Sequence, residues 1–475
     1  MQVSSISNLK LNPLFKSTKK ILSINNTEEA SPVQMELSGS EVGRAMLAGM
    51  GINFKGSAEP IDVTDKLNKK VEGKSHLELP NLKVYDYPDT NLRVFIHTMS
   101  EEENSSYMPS AAVTIQRLDN SKENLLEEII LQSVIAERLS MKLEEFPSFI
   151  TSTGMITYSF SNPEKFSERL GEYYEILSRQ NISEEEFVKA KNFVKESLSP
   201  EFFQHGADFI KAYYSDEGDL YTQEEMLEKL EQITPDAINA YYKDFISNSK
   251  IETIISTKES MFDKTKLKDA TDHLDCMFAK IPDVDNKKME DFVPNKDMKV
   301  QKVDTYIYSS PFLEINYPTS VQTIKDSLIA EFAVGIINEV NPKEFYFYNG
   351  SHDIPSYLKN KDKTFDFSYC TVDVNGNSAQ LDEKLRELRG VLNDTVNDEA
   401  FTTKLETRKQ DRKDFLKSVF SEESSPLSTF VGCLKYSSDV FSLYETIDSI
   451  TADDIKDFIN TYLVNQAPVV IANEP

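Results

Sequence analysis

Apolar residues recur along this chain with two periods, one typical of helices and one typical of strands. From Asn124 to about Leu143 they return every three or four positions, which predicts a long helix with one buried face. The stretches Asn91–His97 and Ala111–Leu118 are rich in β-branched residues and bounded by turn-forming ones, so each predicts a strand. Regular structure is therefore expected from about Leu79 onward, in an α/β (α+β) fold.

The same two patterns continue through both halves of the chain. Ser183 is followed three residues later by Glu186, a capping box that predicts the start of a helix. The other elements predicted for the first half are a strand over Phe149–Phe160, a helix opened by Pro163, a helix from Thr234 and a strand over Ile251–Ile255. Those predicted for the second half are an extended stretch over Tyr306–Tyr317, a helix over Thr323–Val340, a strand over Phe365–Val374, helices over Gln380–Leu392 and Glu399–Phe420, a helix from Thr451 and a strand over Val469–Ala472.

The element order of the first half recurs in the second, with matching residues. Ile233–Ile238 matches Ile450–Ile455 without a gap, at a shift of 217 positions. Two further matches lie upstream, at shifts of 214 and 215: Glu185–Phe187 with Glu399–Phe401, and Phe166 and Leu170 with Leu381 and Leu385. One Thr-capped helix could match by chance, since Thr is a common N-cap. Three matches in order predict two copies of one domain.

Four regions follow from this repeat. Residues 1–77 are rich in Ser, Asn, Lys and Glu, and they predict a mostly disordered N-terminal extension with a short helix around Glu41–Met50. Residues 78–259 and 300–475 are the two predicted domains. The polar stretch 260–299, which carries Pro282 and Pro294, is the predicted linker.

Composition limits the partners and the compartment. The net charge is −27, and such a surface repels phosphate backbones and anionic lipid, so neither nucleic acid nor membrane is expected as a partner. Cys276, Cys370 and Cys433 form no Cys-x-x-Cys pair, which favours buried thiols in a reducing compartment. Met1–Ser23 lacks the apolar core of a signal peptide and Ala45–Ile52 is too short to cross a bilayer, so a cytoplasmic protein is expected.

Several stretches together resemble the insulinase/pitrilysin peptidases, a family that includes the mitochondrial processing peptidases. The stretches that carry the resemblance are Leu79–Leu82 with Asn91–Ile96, Ile150–Phe160, Ile182–Lys191, and the paired Gln232–Ile238 and Ser449–Ile455. The resemblance covers about residues 79 to 475. It implies two homologous domains, each a mixed, largely antiparallel sheet with helices packed on one face. By the same resemblance, two such domains would form one half of a clamshell that encloses peptides.

The active site that the resemblance implies is missing from the sequence. Active members carry His-x-x-Glu-His on the first long helix, where two histidines one turn apart bind zinc and the glutamate activates water. Neither Asn124–Gln132 nor Thr323–Val340 contains a histidine, and the preceding loop Asp119–Glu123 is short. The five histidines are too far apart in sequence to share a helix face: His76, His97, His205, His273 and His352. We therefore predict no catalytic, metal-binding or cofactor-binding residue, and no cofactor.

Weaker candidates do not change that prediction. Glu196 lies near the place of the downstream glutamate ligand, but a lone carboxylate is more typical of a solvated helix residue. The Arg and Tyr pair that grips substrate in the family has no counterpart in Ser356–Tyr369, which has tyrosines but no arginine. His205 with Asp208 is typical of a surface hydrogen bond. Phe345–Tyr348 predicts a core or edge strand, and Asn349-Gly350 after it predicts a turn.

Three functions remain open at this point. The leading hypothesis is a catalytically inactive member that binds peptides or supports an active peptidase subunit, as a heterodimer or a homodimer. The first alternative is a divergent zinc metallopeptidase with displaced ligands. The second is a self-associating structural protein that docks through its N-terminal extension.

Overall fold

The fold is described by a computed structural model that covers most of the region after residue 60. The described residues are 61–68, 75–87, 92–101, 109–117, 125–143, 148–152, 155–161, 171–173, 175–177, 179–198, 221–261, 299–303, 311–321, 323–341, 345–353, 366–422, 424–436 and 440–473. The predicted helix at Glu41–Met50 lies outside them. The predicted helix that starts at Pro163 lies largely outside them.

The described strands form two sheets, of seven and five strands. The strands of sheet 1 are β1 (Ile61–Asp62), β2 (Leu82–Asp86), β3 (Leu92–Met99), β4 (Ser110–Arg117), β5 (Ser148–Ser152), β6 (Met155–Ser161) and β7 (Ser249–Lys258). The strands of sheet 2 are β8 (Lys299–Val303), β9 (Phe312–Thr319), β10 (Tyr346–Asp353), β11 (Asp366–Asn375) and β12 (Val469–Asn473). Their spatial orders are β1-β2-β3-β7-β4-β6-β5 and β10-β11-β9-β12-β8.

The two sheets share one connectivity. Read in one direction, β3-β7-β4-β6-β5 corresponds to β8-β12-β9-β11-β10. In each sheet one pair is parallel, β3 with β7 and β12 with β8, and the other pairs are antiparallel. This confirms a mixed, largely antiparallel α/β fold. The boundaries of the two predicted domains stay a prediction.

Helices surround the sheets, and most of them begin where the sequence predicts. In the first half they are α1 (Thr64–Leu67), α2 (Leu125–Leu143), α3 (Glu184–Ser197), α4 (Gln223–Gln232) and α5 (Pro235–Ser247). In the second half they are α6 (Ile324–Val340), α7 (Leu381–Val396), α8 (Phe401–Val419), α9 (Leu427–Lys435), α10 (Leu443–Ser449) and α11 (Ala452–Phe458), which continues as a π-helix over Ile459–Val464. Side-chain caps at Ser183, Thr234 and Thr451 fix three of these starts, because each oxygen accepts a backbone N–H of the first turn.

Strand alternation sets which residues meet the helices. In sheet 1, Val94, Val113 and Ile251 belong to a core shared with α2, α3 and α5. The opposite face of the sheet carries Phe95 and Ile254, which join the core of the second half instead. Helix α9 of the second half packs there, against β4 and β7. Sheet 1 therefore has its own helices on one face and a helix of the second half on the other.

The contact between that second face and residues 420–435 is called the seam below. At its centre the rings of Phe95 and Phe430 lie 4.9 Å apart between centroids, and Phe430 meets Phe420 edge-on at 5.4 Å. The backbone N–H of Ser100 donates to the carbonyl oxygen of Glu422 at 3.0 Å. Leu77 and Leu79 are also buried in the second core, so the start of the first half is built into the second.

Three sequence predictions need correction. The single strand predicted over Phe149–Phe160 is a hairpin of β5 and β6, since Ser152 pairs directly with Met155; the glycine of Ser152-Thr-Gly154 was the overlooked signal. Regular structure begins before Leu79, because β1, which lies within the predicted extension, pairs with β2. The turn predicted at Asn349-Gly350 lies inside β10, where Gly350 pairs with Tyr369.

Gly350 is required by the ring of Tyr369. A β-carbon at Gly350 would lie 2.3 Å from the Cζ atom of that ring, far inside van der Waals contact. We expect Gly350→Ala to lower the free energy of unfolding by about 1–3 kcal/mol, because the packed ring has to move. Denaturant unfolding measures this loss.

A matched control for this substitution lies in α7. A β-carbon at Gly390 meets nothing within 4 Å, so Gly390→Ala is expected to stabilise the helix by up to about 1 kcal/mol. In a Tyr369→Ala background the Gly350→Ala change should become nearly neutral. An equal loss in both backgrounds would contradict the steric explanation.

Candidate functional site

The first two turns of α2 are where the resemblance places a zinc motif. Glu128 lies there and is 3% exposed. Its Oε2 atom accepts a hydrogen bond from the Tyr241 hydroxyl at 3.2 Å, and its Oε1 atom accepts one from the Gln132 amide at 3.1 Å. Both oxygens of this buried carboxylate are therefore engaged by side chains of the protein.

A buried arginine contacts the same tyrosine. The Arg117 side chain, at the end of β4, is 4% exposed, and it donates to the Asp244 carboxylate on α5 at 3.0 Å. Its guanidinium carbon lies 5.9 Å from the centre of the Tyr241 ring, within the range of a cation–π contact. Glu128, Gln132, Tyr241, Arg117 and Asp244 form what we call the α2 polar cluster.

The electrostatics of the cluster keep Tyr241 protonated. Burial is the largest cause that raises the pKa of Tyr241, and the negative charge of Glu128 raises it further, while Arg117 opposes both. A phenol in this state acts as a hydrogen-bond donor and not as a nucleophile or base. The cluster therefore joins β4, α2 and α5 through charge-assisted hydrogen bonds.

The residues of the cluster do not fit a zinc ion. Protein zinc sites use imidazole, thiolate and carboxylate ligands, three or four at a time. The cluster offers two carboxylates, one hydrogen-bonded on both oxygens and the other paired with Arg117. Across the described part of the chain, no three His, Cys, Asp or Glu side chains come close enough to hold a metal ion. For the chain as a whole, the absence of a zinc site stays a prediction.

The histidines do not converge on α2. His97 lies on β3, where Val94 and Ile96 face the helices and His97 therefore faces the opposite side of the sheet, in the seam. His76 is partly buried just before β2, and His352 is on β10 of the other sheet. His205, with its possible partner Asp208, and His273 lie outside the described residues.

The other candidates are also dispersed. Glu196 is exposed on α3, as expected for a solvated helix residue. In the second half, α6 takes the place of α2, and the Arg408 guanidinium donates to the Gly335 carbonyl at 3.0 Å and to Glu339 at 3.1 Å. Of the tyrosines in Ser356–Tyr369, Tyr357 lies outside the described residues and Tyr369 packs on Gly350.

Sequence reasoning missed the α2 polar cluster. Its members lie on three elements that are far apart in sequence, so no local spacing connects them. One signal was available in the repeat: Tyr241 corresponds to Phe458, and both are buried in their respective cores. A hydroxyl added at a buried aromatic position requires a hydrogen-bond partner, which here is Glu128.

Comparison with known proteins bears on the fold alone. No protein-family model and no curated protein matches the chain. A protease from Helicobacter pylori matches with a TM-score of 0.54 and 14% identity, over 86% of this chain and all of the other. The periplasmic protease PqqL from Escherichia coli matches with a TM-score of 0.54 and 12% identity, over 92% of this chain. The fold is protease-like.

Two further facts limit what this likeness means. The chain spans about half the length of PqqL, of which 51% is covered. Within the described residues, the structure contains no helix of the length and apolar character needed to cross a bilayer. Because PqqL is periplasmic, the cytoplasmic location expected from the sequence stays a prediction.

Proposed function

We propose that this chain is a non-catalytic protein of the insulinase/pitrilysin type that binds peptides or supports an active peptidase subunit. The protease-like fold supports the peptide-binding part of the proposal. The α2 polar cluster supports the non-catalytic part, and it is the observation that carries the proposal.

The spacing of the zinc motif can be laid over the first turn of α2. On this register Glu128 takes the place of the glutamate, while Leu125 and Ile129 take the places of the two histidines. A glutamate that activates zinc-bound water needs a free oxygen directed at the metal. Here one oxygen accepts a hydrogen bond from Tyr241 and the other accepts one from Gln132. Glu128 therefore has a structural role and not a catalytic one.

The proposal includes a partner, either a second copy of this chain or an active peptidase subunit. The net charge of −27 would favour basic peptides over acidic ones at low salt.

A divergent zinc peptidase is the second candidate, and a different observation favours it. The two solved structures described above are named as proteases. This candidate needs zinc ligands outside the described residues, where His205 and His273 lie.

Zinc content and peptide cleavage separate the two candidates. We expect dialysed protein to hold no stoichiometric zinc by mass spectrometry and to cleave no peptide in a mixed library, with or without chelator. Glu128→Gln and Glu127→Gln are the matched variants, since both lie on the same turn of α2 and only Glu128 is buried. Chelator-sensitive cleavage that Glu128→Gln abolishes and Glu127→Gln leaves intact would overturn the proposal.

Peptide binding and assembly test the remaining part. Fluorescence anisotropy with a lysine-rich and a glutamate-rich peptide of equal length should show binding, tighter for the basic one and weaker at high salt. Sedimentation should show a dimer, or a complex when an active subunit is added. A monomer that binds neither peptide nor subunit would leave the proposal without support and we would abandon it.

A further inference from the structure

His97 occupies the centre of the seam. This histidine is fully buried, at 0% exposure, and it pairs in register with Leu82 on β2 and with Ser256 on β7. Strand alternation places it on the same face of β3 as Phe95, which packs on Phe430 of the second half. The imidazole therefore lies where the two halves of the chain meet.

The hydrogen bonds of the ring are incomplete. The Nδ1 atom is 3.0 Å from the Ser256 hydroxyl oxygen. The Nε2 atom is buried and, among the described residues, makes no hydrogen bond of good geometry. Backbone groups of Phe420 and Ser421 approach the ring from the second half and favour its protonated form. Burial outweighs them, so the pKa of His97 is lowered from its ordinary value.

We propose that His97 makes closure of the seam depend on pH, with the neutral imidazole held in the closed seam and the protonated imidazole favouring release of residues 420–435 from sheet 1. A charged ring has two N–H donors, and only Nδ1 has a side-chain partner in the closed seam. Burial makes the charged ring costly even beside the backbone groups of Phe420 and Ser421, and opening the seam lets water solvate it.

The charged residues on the elements around His97 do not compensate for that charge. On the same sheet face, Arg93 pairs with Asp86, and Lys250 pairs with Glu252. Lys258 ends β7, and Glu422 is exposed beyond α8. Helix α9 contributes only Lys435, at its end. Within the described residues no ion pair joins His97 to any of them. Histidine is also the side chain whose ordinary pKa lies closest to neutrality.

The sign of the effect follows from the direction of the shift. Because the pKa of His97 is lower in the closed seam than in the open one, the open form binds more protons below pH about 6.5. The closed seam is therefore fully stable above that value and loses stability as pH falls toward the lowered pKa. The opening equilibrium constant should rise by about tenfold for each unit by which burial lowers the pKa.

The absence of tryptophan allows a clean fluorescence test on the full chain. Tyr436, half-buried at the end of α9, is replaced by tryptophan as a reporter of α9 leaving the sheet. The opening equilibrium is then followed by tryptophan fluorescence at urea concentrations below the global unfolding transition, at pH 8, 7, 6 and 5.5, with His97 and with His97→Gln. We expect opening to increase below pH 7 with His97 and to change much less in His97→Gln. His76→Gln, which removes a partly buried histidine outside the seam centre, should behave like the parent.

An equal pH dependence with and without His97 would overturn the proposal. If His97→Gln does not fold, hydrogen exchange of the unsubstituted chain tests the same point. After correction for intrinsic rates, the amide of Ser100 and those of α9 should lose protection between pH 7.5 and 5.5, while those of α5 keep theirs. Uniform protection of all three at both pH values would also overturn the proposal.

Discussion

Replacing Phe430 with alanine is expected to lower the free energy of unfolding by about 3–5 kcal/mol, because it leaves a cavity in the seam. Phe430 is 1% exposed, and its ring contacts those of Phe95 and Phe420. The surrounding strands are fixed by their own hydrogen bonds, so they can close the cavity only in part. Urea unfolding followed by circular dichroism measures the loss.

The loss should affect both halves together. Phe95 belongs to sheet 1 and Phe420 to the second half, and both belong to the same core as Phe430. We therefore expect one transition at a lower urea concentration, with the same midpoint for probes in either half. Phe415→Ala is the control, since Phe415 lies on α8 but is 43% exposed; it should cost less than about 1 kcal/mol. Two separate transitions in the parent chain would show that the seam does not couple the halves.

Local sequence signals predicted most of the helices correctly, for a physical reason. The starts at Ser183, Thr234 and Thr451 depend on a hydroxyl that accepts a backbone N–H within the same turn, so the determinant lies within four residues. The long apolar helix predicted from Asn124 appears as α2, because apolar residues that recur with a period of about 3.6 form one face of a helix.

The elements that were missed depend on distant contacts. Helix α9 is nine residues long and has no side-chain cap, and it packs against strands β4 and β7, whose residues lie far away in sequence. No local pattern shows that sheet 1 would receive a helix of the second half on its free face. That Gly350 lies inside a strand could not be predicted locally either. The glycine is required by the ring of Tyr369, which lies on the neighbouring strand.

The candidate site, too, could be predicted from the sequence only in part. That α2 contains no histidine could be read directly from the sequence. What occupies the position could not, because Glu128 meets Tyr241, and Arg117 meets Tyr241 and Asp244, only after the sheet has brought β4 and α5 to α2. The side chains that bind one another across such distances are set by the fold, and a spacing rule finds only those within one helix or one turn.

Replacing Arg138 with methionine is expected to lower the free energy of unfolding by about 1.5–3 kcal/mol, as for the loss of hydrogen bonds to a charged group. The Arg138 side chain is 9% exposed on α2, and it donates to both oxygens of Glu186 on α3, at 2.7 and 3.0 Å. It also donates to the carbonyl oxygens of Arg179 and Asn181, at 2.6 and 2.8 Å. Methionine preserves most of the volume but removes the Arg138 donor from all of these acceptors, while Glu186 keeps its hydrogen bonds from Ser183.

The Arg138–Glu186 pair also predicts that the stability of the fold decreases in acid. The Arg138 hydrogen bond, with those from Ser183, lowers the pKa of Glu186 from 4.5 to about 2. A lowered carboxyl pKa stabilises the fold at pH values above the unfolded pKa, and that contribution is lost as pH falls from about 4.5 toward 2. In Arg138→Met this part of the acid dependence should be much reduced, which acid titration followed by circular dichroism measures.

The control for this prediction is a second ion pair between the same two helices. Lys189 on α3 pairs with Glu137 on α2 at 3.4 Å and with Glu185 at 3.1 Å, but its side chain is half-exposed. Lys189→Met should therefore cost less than about 1 kcal/mol, because exposed ion pairs are screened by water. A loss in Arg138→Met no larger than that in Lys189→Met would mean that apolar contacts alone hold α2 against α3. The α2 polar cluster would then be positioned by the apolar packing of α2 against α3 and by its own hydrogen bonds, and not by the Arg138–Glu186 pair.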